Sequence, residues 1–140
     1  MKTLVAVLAV AVVLTLLAVP VEAADPVTQT FNGSVDRVWN VARAVLKQLG
    51  WDIDKEDRSI GWITTDSRRV EGEDYGVYAK GIRHRLRVQM KTVDNARTAV
   101  TVERSVFERE RILFIDQDKP ITAKDQEVEK SVLAAIGRSL

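Results

Sequence analysis

The chain has 140 residues, 46% of them apolar and 29% charged, with 21 Lys+Arg against 20 Asp+Glu for a net charge of +1. That balance predicts one globular domain, and the near-neutral charge argues against a general nucleic-acid binder, which needs excess cations to displace counterions from phosphates. With no Cys and a single His, disulfides, thiolate metal sites, a Cys nucleophile, a lipid-modified N-terminal Cys and three-His zinc sites are excluded.

Residues 1–23 have the order of a secretory signal peptide. Lys2 supplies the positive start, Leu4 to Val19 is apolar except for Thr15, Pro20 breaks the run, and Val21 and Ala23 suit the two cleavage-pocket positions. The apolar run is shorter than the ~20 residues a spanning helix usually needs. Cleavage after Ala23 is expected, leaving residues 24–140 as a single periplasmic or secreted bacterial domain with no stable membrane span.

Val27 to Phe31 alternates as a strand that Asn32-Gly33 ends. Ser34 is a good helix N-cap with Asp36 in the first turn. Val35, Val38, Trp39, Ala42, Val45, Leu46 and Leu49 then fall on one helical face, and Gly50 supplies the stop. Trp51 to Glu56 and Ile60 to Thr65 read as a hairpin turning at Asp57-Arg58-Ser59. Arg68 to Gly76 is polar, contains Gly72 and Gly76, and reads as a loop. Val77 to Thr92 reads as one long strand, bent or bulged near Gly81, which Asp94-Asn95 turns into a partner strand over Thr98 to Arg109. The apolar run Ile112 to Ile115 precedes a polar stretch ending at Pro120. Thr122 then caps a last helix whose apolar face carries Val128, Val132, Ala135, Ile136 and Leu140. The expected fold is α+β in the order β-α-β-β-β-β-α. An antiparallel sheet of about five or six strands has both helices on one face, because hairpin-linked strands with one half-polar face need a cover on the other.

Several short motifs together carry a family resemblance. They are the strand ending near Phe31, Ser34-Val-Asp-Arg-Val-Trp39, Leu49-Gly50-Trp51, Ile60-Gly61-Trp62-Ile63-Thr64-Thr65 and the basic strand Arg83 to Val88. This pattern is similar to the domains of the BamC (NlpB) family, lipoprotein subunits of the outer-membrane β-barrel assembly machinery. The resemblance implies a helix-grip domain, an antiparallel sheet gripping a helix. Two features depart from the family: no Cys follows the signal segment, and there is one such domain without the extended N-terminal segment. The Ser-x-x-x-Val-Trp opening also resembles START-type helix-grip proteins that bind hydrophobic ligands, which implies a cavity.

Candidate functional residues follow from strand parity. Arg83, Arg85 and Arg87 share one face of their strand, a stripe of ~13 Å. It reads either as a solvated face paired to acids such as Glu103, Asp52, Asp54 and Glu56, or as a contact for an envelope protein or anionic envelope component, since arginine forks suit phosphate and carboxylate. His84 falls on the opposite face with Ile82, Leu86, Val88 and Met90, and reads as a half-buried histidine; no nucleophile motif accompanies it. Ile112 and Phe114, in an unbroken apolar run, read as core beneath the last helix, as a cavity mouth or as a partner surface. The cavity alternative takes Val88, Met90, Phe114 and Leu133 as its lining. Asp52-x-Asp54-x-Glu56 lacks the turn glycine and the twelfth-position Glu of a calcium loop, with Ile63 at the twelfth position. No metal, cofactor or catalytic role is expected, and Trp62 is left between the two faces of its strand.

Overall fold

The structure, a computed structural model, describes residues 25–140; the expected signal peptide lies outside the described residues. Strand β1 (Val27–Asn32) leads into helix α1 (Val35–Gln48). Ser34 Oγ accepts the Arg37 backbone N–H at 3.3 Å, and Asp36 occupies the first turn. The serine satisfies a free N–H group at the helix start, and the Asp36 charge suits the helix dipole. Gly50 follows at φ 87°, a left-handed conformation that costs glycine nothing. Strands β2 (Ile53–Asp57) and β3 (Trp62–Thr65) form the expected hairpin. Then come β4 (Arg68–Asp74), β5 (Ala79–Asp94), β6 (Arg97–Ile112), β7 (Ile115–Pro120) and helix α2 (Glu127–Ser139).

All pairings in this seven-stranded sheet are antiparallel. Strands β5 and β6 are its spine, paired from Ala79↔Arg111 to Asp94↔Arg97. At the Asp94 end the order is β1-β6-β5-β3-β2; at the Ala79 end β4 flanks β5 and β7 flanks β6. Even-numbered residues of β5 and β6 face the helices at the first end. Leu86, Val88, Met90, Val100 and Val102 are buried there against Trp39, Ala42, Val45 and Leu46 of α1 and Val132, Leu133 and Ile136 of α2. The other end has no helix over it, and projects as a four-stranded arm roughly 20–25 Å long at the usual strand rise.

Four expectations are corrected. Residues 68–74 are strand β4, not loop; its burial pattern is almost wholly exposed, so no apolar alternation marks it. Gly81 is not a bulge, because Gly81↔Arg109 pairs regularly and the register shifts lie at Arg69/Glu71 and Thr92/Asp94. Gly72 and Gly81 face each other, and a Cβ on either would strike the opposite backbone, so glycine serves close strand approach. Helix α2 starts at Glu127 rather than after Thr122: Ile121 N still bonds Val106 O, and Asp125 Oδ1 accepts the Glu127 N–H at 3.1 Å. Finally, Ile112 to Ile115 is not core. It is the β6–β7 hairpin turn, and Ile112, Leu113, Phe114 and Ile115 are all exposed.

Candidate functional site: the outer face of the sheet

Register puts Arg69, Arg83, Arg85, Arg87, Arg109 and Arg111 on the face turned away from the helices. Phe107 lies among them and is only 7% exposed although it stands outside the helix-covered core. The guanidinium carbons of Arg85 and Arg109 lie 5.6 and 5.5 Å from its ring centroid. They cover the ring by cation–π contact and with their apolar stems. Arg87 lies 5.8 Å from the centroid of Trp62, which settles the parity of Trp62: it points outward, opposite Gln89.

The arginines divide by partner. Arg109 forms a fork with Asp118 at 2.7 and 3.0 Å, and Arg111 binds Asp116 at 2.6 Å and Asp74 at 3.3 Å. Arg83 instead donates to Ser67, from Nε to Oγ at 2.9 Å and from Nη2 to the carbonyl at 2.8 Å. Among the described residues, Arg83, Arg85 and Arg87 have no carboxylate within ion-pair distance. The acids expected to neutralise them do other things: Glu103 stands opposite Arg87 in register without an ion pair, and Glu56 binds Arg43 at 2.6 Å. Burial, and then the charges of Arg109 and Arg69, hold the Arg83 pKa below the usual arginine value. Asp118 is held below the usual carboxylate range by its bond to Arg109 first, with Arg85 and Arg83 adding to it. The face is a field of positive charge in which an added anion is stabilised.

A groove of about 420 Å³ runs across it, lined by Trp62, Thr64, Arg85, Arg87, Glu103 and Ser105 with Asp54 and Lys55 alongside. Thr64 Oγ1, behind this lining, is buried and makes no hydrogen bond.

The helix side of the spine holds a second charged group. Arg104 and Glu129 are both buried, with Arg104 Nε 2.8 Å from Glu129 Oε1 in a charge contact without hydrogen-bond alignment. Arg104 Nη2 also donates to the Asp125 carbonyl at 2.6 Å. Burial raises the Glu129 pKa despite Arg104. His84 is half-buried as expected, with Nδ1 3.5 Å from Arg104 Nη1, and burial first, then Arg104 and Arg68, lower its pKa. The Arg104–Glu129 contact ties α2 to β6.

Of the expected site residues, Arg83, Arg85 and Arg87 lie together. Ile112 and Phe114 do not join them; they occupy the far tip of the arm. The cavity set does not assemble either: Val88, Met90 and Leu133 are closed into the core while Phe114 is 74% exposed. Arg109 and Arg111 escaped the sequence reading, yet Glu108-Arg-Glu-Arg111 carries the signal. In a strand of period two, that alternation sorts acids to one face and bases to the other.

No family model and no curated protein matches the chain. A solved structure of a TBP-like protein from Parabacteroides distasonis is similar at 13% identity, covering 82% of this chain and 94% of that one, with a TM-score of 0.45.

Proposed function

We propose that the protein is a non-enzymatic accessory module of the bacterial cell envelope, exported by its signal peptide, which docks an anionic envelope component on the outer face of its sheet. The observation that carries this reading is the set of arginines at 83, 85 and 87, aimed outward without carboxylate partners and steadied by Ser67, Phe107 and Trp62. Alternate strand positions repeat every ~7 Å, and each arginine fork takes a phosphate or carboxylate in a bidentate contact. Arg109 and Arg111, already paired with acids, frame the face rather than serve it.

The test is the triple variant Arg83→Ser/Arg85→Ser/Arg87→Ser. Arg85 and Arg87 are exposed charges that contribute ~0–1 kcal/mol each to stability, and half-buried Arg83 gives up two bonds to Ser67 at about 1 kcal/mol each, so the variant is expected to fold with a modestly lower urea midpoint. Capture of envelope components from an extract is expected to fall sharply, and capture by the parent chain to weaken as salt rises. Equal capture by parent and variant overturns the reading.

A further inference from the structure

Two turns meet at the end of the arm. In the β4–β5 turn, Tyr75 N bonds Tyr78 O at 2.8 Å, and Gly76 stands between them at φ 81°. In the β6–β7 turn, Ile112 pairs with Ile115 around Leu113-Phe114. A hydrogen bond from Phe114 N to Val77 O at 3.2 Å ties the turns into one tip. Tyr75, Tyr78, Leu113, Phe114 and Ile115 are each more than half exposed, and Ile112 nearly so. Most large apolar side chains exposed among the described residues gather here, the kind of patch that marks an interaction site.

The backbone says that these side chains are not incidental. Leu113 and Phe114 both have positive φ, 52° and 66°. A two-residue turn of this kind favours Asn-Gly, and large side chains at both positions are costly. The strain holds two bulky apolar groups at the outermost point of the molecule, the pattern by which an unusual backbone points to function.

We infer that this tip inserts into a lipid bilayer surface. Leu113, Phe114 and Ile115 project at the end of the arm, outside the groove of about 500 Å³ that Tyr75, Tyr78 and Ile112 line together with charged neighbours, so they suit a deformable apolar phase better than a rigid socket. Its apolar cap is about two residues deep, ~7 Å at the strand rise, which matches the ~5–10 Å burial of interfacial segments and falls far short of a span. Charged residues Asp74, Lys80, Glu110, Arg111 and Asp116 follow immediately behind it. Tyr75 and Tyr78 sit at that boundary, where tyrosine is favoured at membrane interfaces; the Tyr75 hydroxyl bonds Glu73.

The arm's charge is also sided. On the inner face Glu71, Glu73, Glu108 and Glu110 outnumber Lys80 and Lys119, while on the outer face Arg69, Arg83, Arg109 and Arg111 outnumber Asp74, Asp116 and Asp118. An anionic bilayer therefore draws the outer face down and leaves the acidic face away from it. The insertion of the tip stands on its own; the preference for anionic lipid rests on the proposed role of the arginine face.

The experiment compares vesicles of phosphatidylcholine alone with vesicles of phosphatidylcholine mixed with phosphatidylglycerol, using the chain from residue 24. The discriminating variant is Leu113→Asn/Phe114→Gly, which gives the turn its preferred residues and so keeps the fold. Vesicle binding by the parent and a loss of about tenfold or more in the variant is the expected result. Phe114→Trp is expected to shift its emission to the blue on the same vesicles. No binding of the parent to either vesicle overturns the inference. So does equal binding by parent and turn variant; if the triple arginine variant then fails to bind, the arginine face alone makes the contact and the earlier reading survives. A parent that dimerises through the tip, becomes monomeric in the turn variant and ignores vesicles overturns the inference in favour of a second copy of this chain.

Discussion

Strands β5 and β6 pass through two different environments in one continuous ladder. Near Asp94 they are the middle of a five-stranded sheet whose inner face is sealed by α1 and α2, and residues such as Leu86, Val88, Val100 and Val102 are fully buried. Near Ala79 the same strands lie between β4 and β7 with no helix over either face, and β6 alternates glutamate and arginine from Glu108 to Arg111. The antiparallel β5–β6 pairing runs through both regions, with its one register shift between Thr92 and Asp94. What differs is the apolar burial that holds the first region rigid and is thin in the second. The lesson is that a sheet can extend well past its core when its central strands are long and its edges are paired. The extension is then free to specialise its two faces and its tip.

Truncating equivalent apolar groups in the two regions tests that division most severely. Leu46→Ala is expected to lose ~2–5 kcal/mol of stability, because it leaves a cavity in the sealed core. Ile112→Ala, at the half-exposed tip, is expected to stay within ~0.5 kcal/mol. Urea unfolding of both variants reads the contrast directly, and similar losses would mean the arm is part of the cooperative core.

At the boundary between the regions sits the Arg104–Glu129 pair. Glu129→Ala leaves a buried guanidinium without its carboxylate and is expected to cost ~3 kcal/mol. Hydrogen exchange is the sharper readout: protection should fall in α2 and the adjoining part of β6 before it falls in α1. Uniform loss across the domain would show that the pair does not act as a local tie.

The smallest effect expected is a pH dependence at His84. Its folded pKa lies below the ordinary 6.5, through burial first and then Arg104 and Arg68, with Asp125 opposing. Below about pH 6.5 the unfolded chain therefore binds more protons than the folded one. Stability from this group is complete above that value and falls as pH drops toward the depressed folded pKa. His84→Gln should flatten this part of the stability–pH curve, seen as urea midpoints at steps between pH 8 and pH 5. An unchanged curve would place the dependence elsewhere.

Legibility in the sequence followed the same divide. Helix α1, the β2–β3 hairpin and the parity of Arg83, Arg85 and Arg87 could be read because each lies beside or within a sealed face, where burial imposes a period. Strand β4 could not, since both its faces are open and no apolar alternation records it. Ile112 to Ile115 misled for the opposite reason: four consecutive apolar residues signal burial by composition, whereas here they form a turn. The free state of the arginines was also hidden, because Glu103 stands in the right register but makes no ion pair.

The sequence by itself determined the α+β class, the two one-sided helices, the antiparallel order and the two-faced charge of the long strands. These depend on local spacing along the chain, which three-dimensional contacts do not alter. Tertiary structure alone decided where the core ends along β5 and β6, which arginines keep acidic partners, that Phe107 is buried beneath arginines rather than helices, and that two distant turns join into one apolar tip. Each of those depends on which surfaces meet across the sheet, and no periodicity within a single strand encodes the length over which a helix will cover it.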